Sequence, residues 1–180
     1  MKATGIVRRI DELGRVVIPK PIRRTMRIRE NDALEIYTDK NGEIIFKKYS
    51  PMAEFASYAA MLCDSLSEST KRPVAICDCD EVIASSGAPE KELLRRNVSE
   101  ELDMIIQSRQ LYQYKAGGRK LPAIEDNENY FVSISAPILA DGDIWGSVVF
   151  FIKEDGGEDT EVEQKLAQNA AAFLGKQVDI

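Results

Sequence analysis

Gly5-Ile6-Val7-Arg8-Arg9-Ile10-Asp11-Glu12-Leu13-Gly14-Arg15-Val16-Val17-Ile18-Pro19 sets two short β-branched runs around a turn. Residues 5–10 and 15–18 have the composition of strands, and Asp11 to Gly14 supply turn chemistry between them. Pro19, which has no amide donor, stops the second run. Residues 20–26 then suit a brief helix: Pro21 falls in the first turn, where its missing donor costs nothing, Ile22 and Met26 form an inward stripe, and Arg23 and Arg24 face out. Two further strands, 33–37 and 43–46, join through Asp39-Lys40-Asn41-Gly42, in which Asn and Gly tolerate positive φ.

This opening segment is basic in an acidic chain. Residues 1–48 hold 12 Lys and Arg against 7 Asp and Glu, a net of +5, whereas residues 49–180 hold 12 against 23, a net of −11. Within residues 1–29 the cluster Lys2, Arg8, Arg9, Arg15, Lys20, Arg23, Arg24, Arg27 and Arg29 faces only Asp11 and Glu12. That is a local polyanion footprint joined to an acidic second module. A head of this size with few large apolar side chains buries too little to stand alone, and neither a disulfide nor a metal is available to it. Dimerisation through shared strands is the physical expectation.

Composition excludes several classes of chemistry. The 180 residues contain no His, which removes the Ser-His-Asp triad, the His-containing zinc site and the His proton shuttle together. No apolar run approaches the roughly 18 residues of a membrane span, and the N-terminus lacks a signal-peptide core, so a cytoplasmic protein without a membrane partner is expected. Cys63, Cys77 and Cys79 are odd in number, which argues against a disulfide framework. Cys77 ends an apolar run and reads as a small buried hydrophobe rather than half of a thiolate metal pair with Asp78 or Asp80. Trp145 and Phe150 read as core. No catalytic residue, metal site or cofactor is assigned.

From residue 50 the pattern changes. Ser50 can cap and Pro51 can open a helix over 51–69, with Met52, Phe55, Ala56, Ala59, Leu62, Cys63 and Leu66 on one face. Strands are expected over 73–77 and 82–85 around the acidic turn 78–81, then a helix over 99–108. Residues 111–129 read as a long loop with at most one short strand, the kind of segment that lines binding sites. A strand pair over 130–138 and 143–152 follows. A capping box at Thr160 and Glu163 opens a last helix that buries Val162, Leu166, Ala170, Phe173 and Leu174. The acidic run 155–163 reads as a solvated entry to it.

Thr4 to Pro19, followed by Ile22-Arg23-Arg24-Thr25, closely resembles the swapped-hairpin DNA-binding domain of the AbrB family of bacterial transition-state regulators, and the match runs through Tyr49. The resemblance implies an interlaced homodimeric β-barrel that binds double-stranded DNA, with Arg8, Arg15, Arg23 and Arg24 as contacting side chains. Lys2, Arg9, Lys20 and Arg27 complete the cationic set. Asn31 stands where many members carry glycine, and Asn accepts a left-handed turn. The rest resembles a GAF domain, a small-molecule sensor or dimerisation module, most clearly from Ala136 to Val149. A head and tail in this order are similar to the late regulators of the developing spore in endospore-forming bacteria.

The expectation is therefore an α+β chain: an interlaced swapped-hairpin β-barrel dimer over 1–50 and a GAF-like mixed sheet flanked by helices over 51–180. Its function is transcription regulation, with the tail serving assembly, up to a tetramer, or sensing an unidentified small-molecule effector. Two other classes compete. One is a thiol enzyme like the GAF-type methionine sulfoxide reductases, and the other an antitoxin or scaffold built on the same head.

Overall fold

Pro21 lies in the first turn of helix α1, Lys20–Thr25, entered from an extended Pro19. The helix belongs to a computed structural model that describes residues 5–50, 52, 55–152 and 161–178. Backbone contacts divide the chain into two units, Met1–Tyr49 and Ser50–Ile180.

In the first unit, strands β1, Leu34–Thr38, and β2, Ile44–Lys48, pair antiparallel with Leu34 opposite Lys48 and Thr38 opposite Ile44. Asp39 closes their turn by accepting from the amides of Asn41 and Glu43 at 2.9 and 2.8 Å. Asn31 takes the left-handed conformation expected of it, φ 69°. Residues 5–10 and 15–18, expected as strands, join no ladder. A strand needs a partner, and within one copy of the head neither segment pairs with another strand among the described residues. No described residue of the head is buried, Met26 of the expected inward stripe is 54% exposed, and Arg23, expected to face out, is half-buried instead.

The second unit is a six-stranded sheet with helices on both faces. Its strands are β3, Val74–Cys77, β4, Val82–Ser86, β5, Tyr112–Gln113, β6, Pro122–Ile124, β7, Asn127–Ala140, and β8, Asp143–Phe151. They run in the order β4-β3-β8-β7-β5, with β6 also on β7. Every described pairing is antiparallel, where a mixed sheet was the expectation. The connections β3–β4 and β7–β8 are tight turns, and a parallel pair would need a crossover of a dozen or more residues. Residues 111–129 hold two short strands rather than at most one: β5 pairs with β7 at Ser135 and Ile134, and β6 pairs with it at Phe131 and at Asn127, where β7 starts earlier than its apolar stretch.

Helix α2, Ala56–Thr70, and helix α5, Glu161–Val178, cover one face of the sheet, burying Ala59, Cys63, Leu66, Ala167, Ala170 and Leu174 against Ile76, Ile134, Ile138, Val148 and Phe150. The other face packs Leu102, Ile105 and Ile106 of helix α4, Glu100–Gln107, and Leu93 of the short helix α3, Glu90–Leu93, onto Ala75, Val132, Val149 and Phe151. Ser99 caps α4 by accepting from the Leu102 amide at 2.9 Å.

Three expected details differ. Ser50 does not cap α2, which begins at Ala56; its hydroxyl donates to Asp78 at 2.7 Å, and Pro51 lies outside the described residues. Thr160 and most of the acidic run 155–163 also lie outside them, while Glu163 turns inward to accept from the buried Arg72 guanidinium at 3.1 Å. Val162 and Phe173 are exposed, because α5 meets the sheet along its small residues, Ala167, Ala170, Ala171 and Gly175.

Candidate nucleic-acid interface

The hairpin tip is closed by its own backbone and by the Asp11 side chain. The Asp11 amide donates to the Arg15 carbonyl and the Gly14 amide to the Asp11 carbonyl, both at 3.0 Å, closing the turn. The Asp11 carboxylate accepts from the Leu13 and Arg15 amides at 3.0 and 2.8 Å and from Arg15 Nε at 2.8 Å. The Arg15 amide, then its guanidinium, holds the Asp11 carboxyl below the ordinary carboxylate range. Asp11 thus has a role beyond turn composition, signalled in the sequence only by an acid four residues before an arginine.

Arg8, Arg9 and Arg15 are exposed on the two arms of this hairpin. On α1, Lys20, Arg23 and Arg24 share a face by their three- and four-residue spacing, with Lys20 and Arg24 exposed. Arg23 is half-buried, and its Nε has no hydrogen-bond partner among the described residues. Arg27 follows the helix in a left-handed conformation, φ 49°, its carbonyl accepting from Lys48 Nζ at 3.1 Å. Lys2 lies outside the described residues. The seven described candidates therefore fall on a hairpin and on the helix that follows it, with Arg27 just beyond the helix end. Guanidinium forks held this way can engage phosphate oxygens or guanine edges with two parallel bonds.

The tail presents different chemistry. Burial, then the nearby Asp64, pushes the Cys63 thiol up to about 12, and burial raises the Cys77 thiol well above its ordinary value. Both stay protonated at neutral pH, so neither supplies a thiolate nucleophile. An open cleft of about 320 Å³ lies between α4 and residues 110–121, lined by Met104, Ile105, Leu111, Tyr112 and Leu121, with Arg119 paired to Glu101 at 3.2 Å on its wall.

Comparison with known proteins gives these elements a context. The family described as "Stage V sporulation protein T C-terminal, transcription factor" matches residues 54–179. Stage V sporulation protein T of Bacillus subtilis (strain 168) is 45% identical over 183 residues, covering 99% of both chains. The chain belongs to the stage V sporulation protein T family. Like that family it is a transcription factor and not an enzyme. Its head carries the AbrB-like DNA-binding domain: residues 7–53 match the family "Antidote-toxin recognition MazE, bacterial antitoxin", and the transition state regulatory protein AbrB of Bacillus subtilis is 67% identical over 51 residues, covering 28% of this chain and 52% of AbrB. The tail shares the fold of the GAF domain from Acinetobacter phosphoenolpyruvate-protein phosphotransferase, at a TM-score of 0.54 and 10% identity over 73% of this chain and 84% of that one. As a stage V sporulation protein T relative along its whole length, the chain is not described by the antitoxin reading, which accounts for the head alone. Among the described residues no helix is long and apolar enough to cross a membrane.

Proposed function

We propose that this transcription factor binds duplex DNA as an interlaced dimer of its heads and regulates late sporulation genes in the cytoplasm of the developing spore. DNA recognition belongs to residues 1–50 and assembly to residues 51–180. The observation that carries the dimer is the head's lack of a core. Ile6, Val7, Ile10, Leu13, Val16, Val17, Ile36 and Ile44 are all exposed in one copy, some above 70%. Apolar exposure on this scale in so small a unit asks for a second copy, whose strands would also complete the ladders of residues 5–10 and 15–18. Pairing doubles the cationic set and presents Arg8, Arg9, Arg15, Lys20, Arg23, Arg24 and Arg27, with Lys2, to the DNA. The orphan Nε of Arg23 would find its acceptor there or in the partner head.

The tails extend the assembly. Tyr58 and Met61 on α2, and Val162 and Phe173 on α5, are exposed on the helices that cover one sheet face, so tails from two dimers can pair there into a tetramer. Sensing is the second reading, supported by the cleft beside α4, where an effector would meet the Arg119–Glu101 pair.

Titration of the full chain with a duplex over a range of salt tests the DNA reading. Log affinity should fall against log salt by about 0.9 per phosphate neutralised, and Arg23→Ala or Arg24→Ala should weaken binding and flatten that slope without changing thermal stability. Unchanged affinity in both variants would falsify the assignment.

A further inference from the structure

Asp11 sits where simple electrostatics says no acid should. It and Glu12 are the only acidic residues among the first 29, and a carboxylate in a DNA-facing cluster repels phosphate. Yet the Asp11 carboxylate accepts three hydrogen bonds, as many as Asp39 at the other turn of the head. Asp11 Oδ1 accepts from the Leu13 and Arg15 amides, which fixes the carboxylate to the turn, and its Oδ2 accepts from Arg15 Nε at 2.8 Å, which fixes the guanidinium to the carboxylate. Gly14, with φ +76°, gives that turn the backbone freedom it needs.

A guanidinium has two edges that can make paired hydrogen bonds, Nε with one Nη and the two Nη together. Asp11 occupies the first. Among the described residues Arg15 makes no other side-chain bond, and the side chain is 71% exposed, so its terminal Nη edge points a planar donor pair into solvent. We propose that Asp11 is a positioning residue for Arg15, holding the guanidinium so that this terminal edge meets a pair of acceptors on DNA. Ordering the arginine before binding removes part of the rotamer cost of the contact and restricts it to one approach. The acceptors are either O6 and N7 of a guanine or two phosphate oxygens, since both match a planar fork. The inference rests on the assignment of Arg15 to the DNA contact.

The test is a double-mutant cycle in the full chain with Asp11→Asn, Arg15→Ala and the two combined. Asn keeps an acceptor oxygen for the two turn amides while removing the charge that binds Nε, and thermal unfolding checks that each variant folds. Affinity is measured on a duplex enriched by the wild-type chain from a randomised library, and the base profile of the bound fraction is read for every variant. Asp11→Asn should weaken binding roughly tenfold, about the worth of a good paired contact, and should cost nothing further once Arg15 is alanine. A profile flattened at one guanine by both single variants assigns the contact to a base, and a uniform loss with an unchanged profile assigns it to phosphate. Unchanged or tighter binding by Asp11→Asn, as loss of a repelling charge would give, overturns the proposal, and so does an equal loss in both backgrounds. Should Arg15→Ala itself leave affinity and profile intact, the DNA assignment of Arg15 fails first and the positioning role with it.

Discussion

Gly175 shows how much one residue can decide in this tail. It lies where α5 crosses β7 so closely that a Cβ would sit 2.2 Å from the Leu139 carbonyl oxygen. On propensity alone Gly175→Ala should stabilise the helix by about 1 kcal/mol. Backbone cannot yield as a flexible side chain does, so overpacking wins, and the variant should lose about 1–3 kcal/mol, read as a lower denaturant midpoint at an unchanged slope. The thiols give a second expectation at this scale. Cys63 and Cys77 are buried and held protonated, while Cys79 is half-buried. A thiol reagent at pH 8 should modify Cys79 first and reach the other two only when the tail unfolds, measured as labelled thiols per chain. Early labelling of Cys63 would contradict the packing of α2. Residues of this kind were unevenly legible. The buried character of Cys77 and Phe150 follows from apolar runs, but the Arg72–Glu163 pair spans 91 residues, and nothing local marks Glu163 as an inward-facing partner rather than half of a capping box.

Elements were most legible where local chemistry and burial agree. Helix α4 is capped by Ser99 and buries Leu102, Ile105 and Ile106 on one stripe, and the turn at Asp39 to Gly42 closes on its own side chains. They were least legible where pairing depends on distant backbone. The strands β5 and β6 have no strong pattern of their own and exist because the long β7 receives them. The two arms of the first hairpin are the inverse case: β-branched composition marks them as strands, and within one chain they join no ladder among the described residues. This sets an expectation for the isolated head, residues 1–52. Its folding should depend on protein concentration, with sedimentation reporting a dimer at low micromolar chain and loss of structure on dilution. A monomer of undiminished stability would remove the need for shared strands.

For the whole molecule, the break between modules is legible in charge alone, +5 before residue 49 and −11 after it, whereas the number of copies is a property of surfaces that sequence periodicity resolves poorly. Here charge and assembly make opposite demands on DNA binding. By its net charge the acidic tail should lower affinity for any duplex through long-range repulsion, an effect that salt screens within about 10 Å at 0.1 M. If the exposed residues of α2 and α5 pair tails, the same tail raises affinity for a duplex carrying two sites, because the second clamp then binds at the effective concentration set by the first. Removing residues 53–180 separates the two terms. On a short duplex with one site, affinity at low salt should hold or rise slightly, and the difference should fade as salt increases. On a long duplex with two sites, the truncated chain should bind at least tenfold more weakly than the full chain, since linkage of this kind is worth a factor of about 10² or more when both sites can be reached. The comparison is made by titrating both duplexes with both chains at two salt concentrations, with sedimentation of the full chain in parallel. Equal changes on short and long DNA, or a full chain that never exceeds a dimer, would count against tail pairing and leave sensing through the cleft beside α4 as the tail's role.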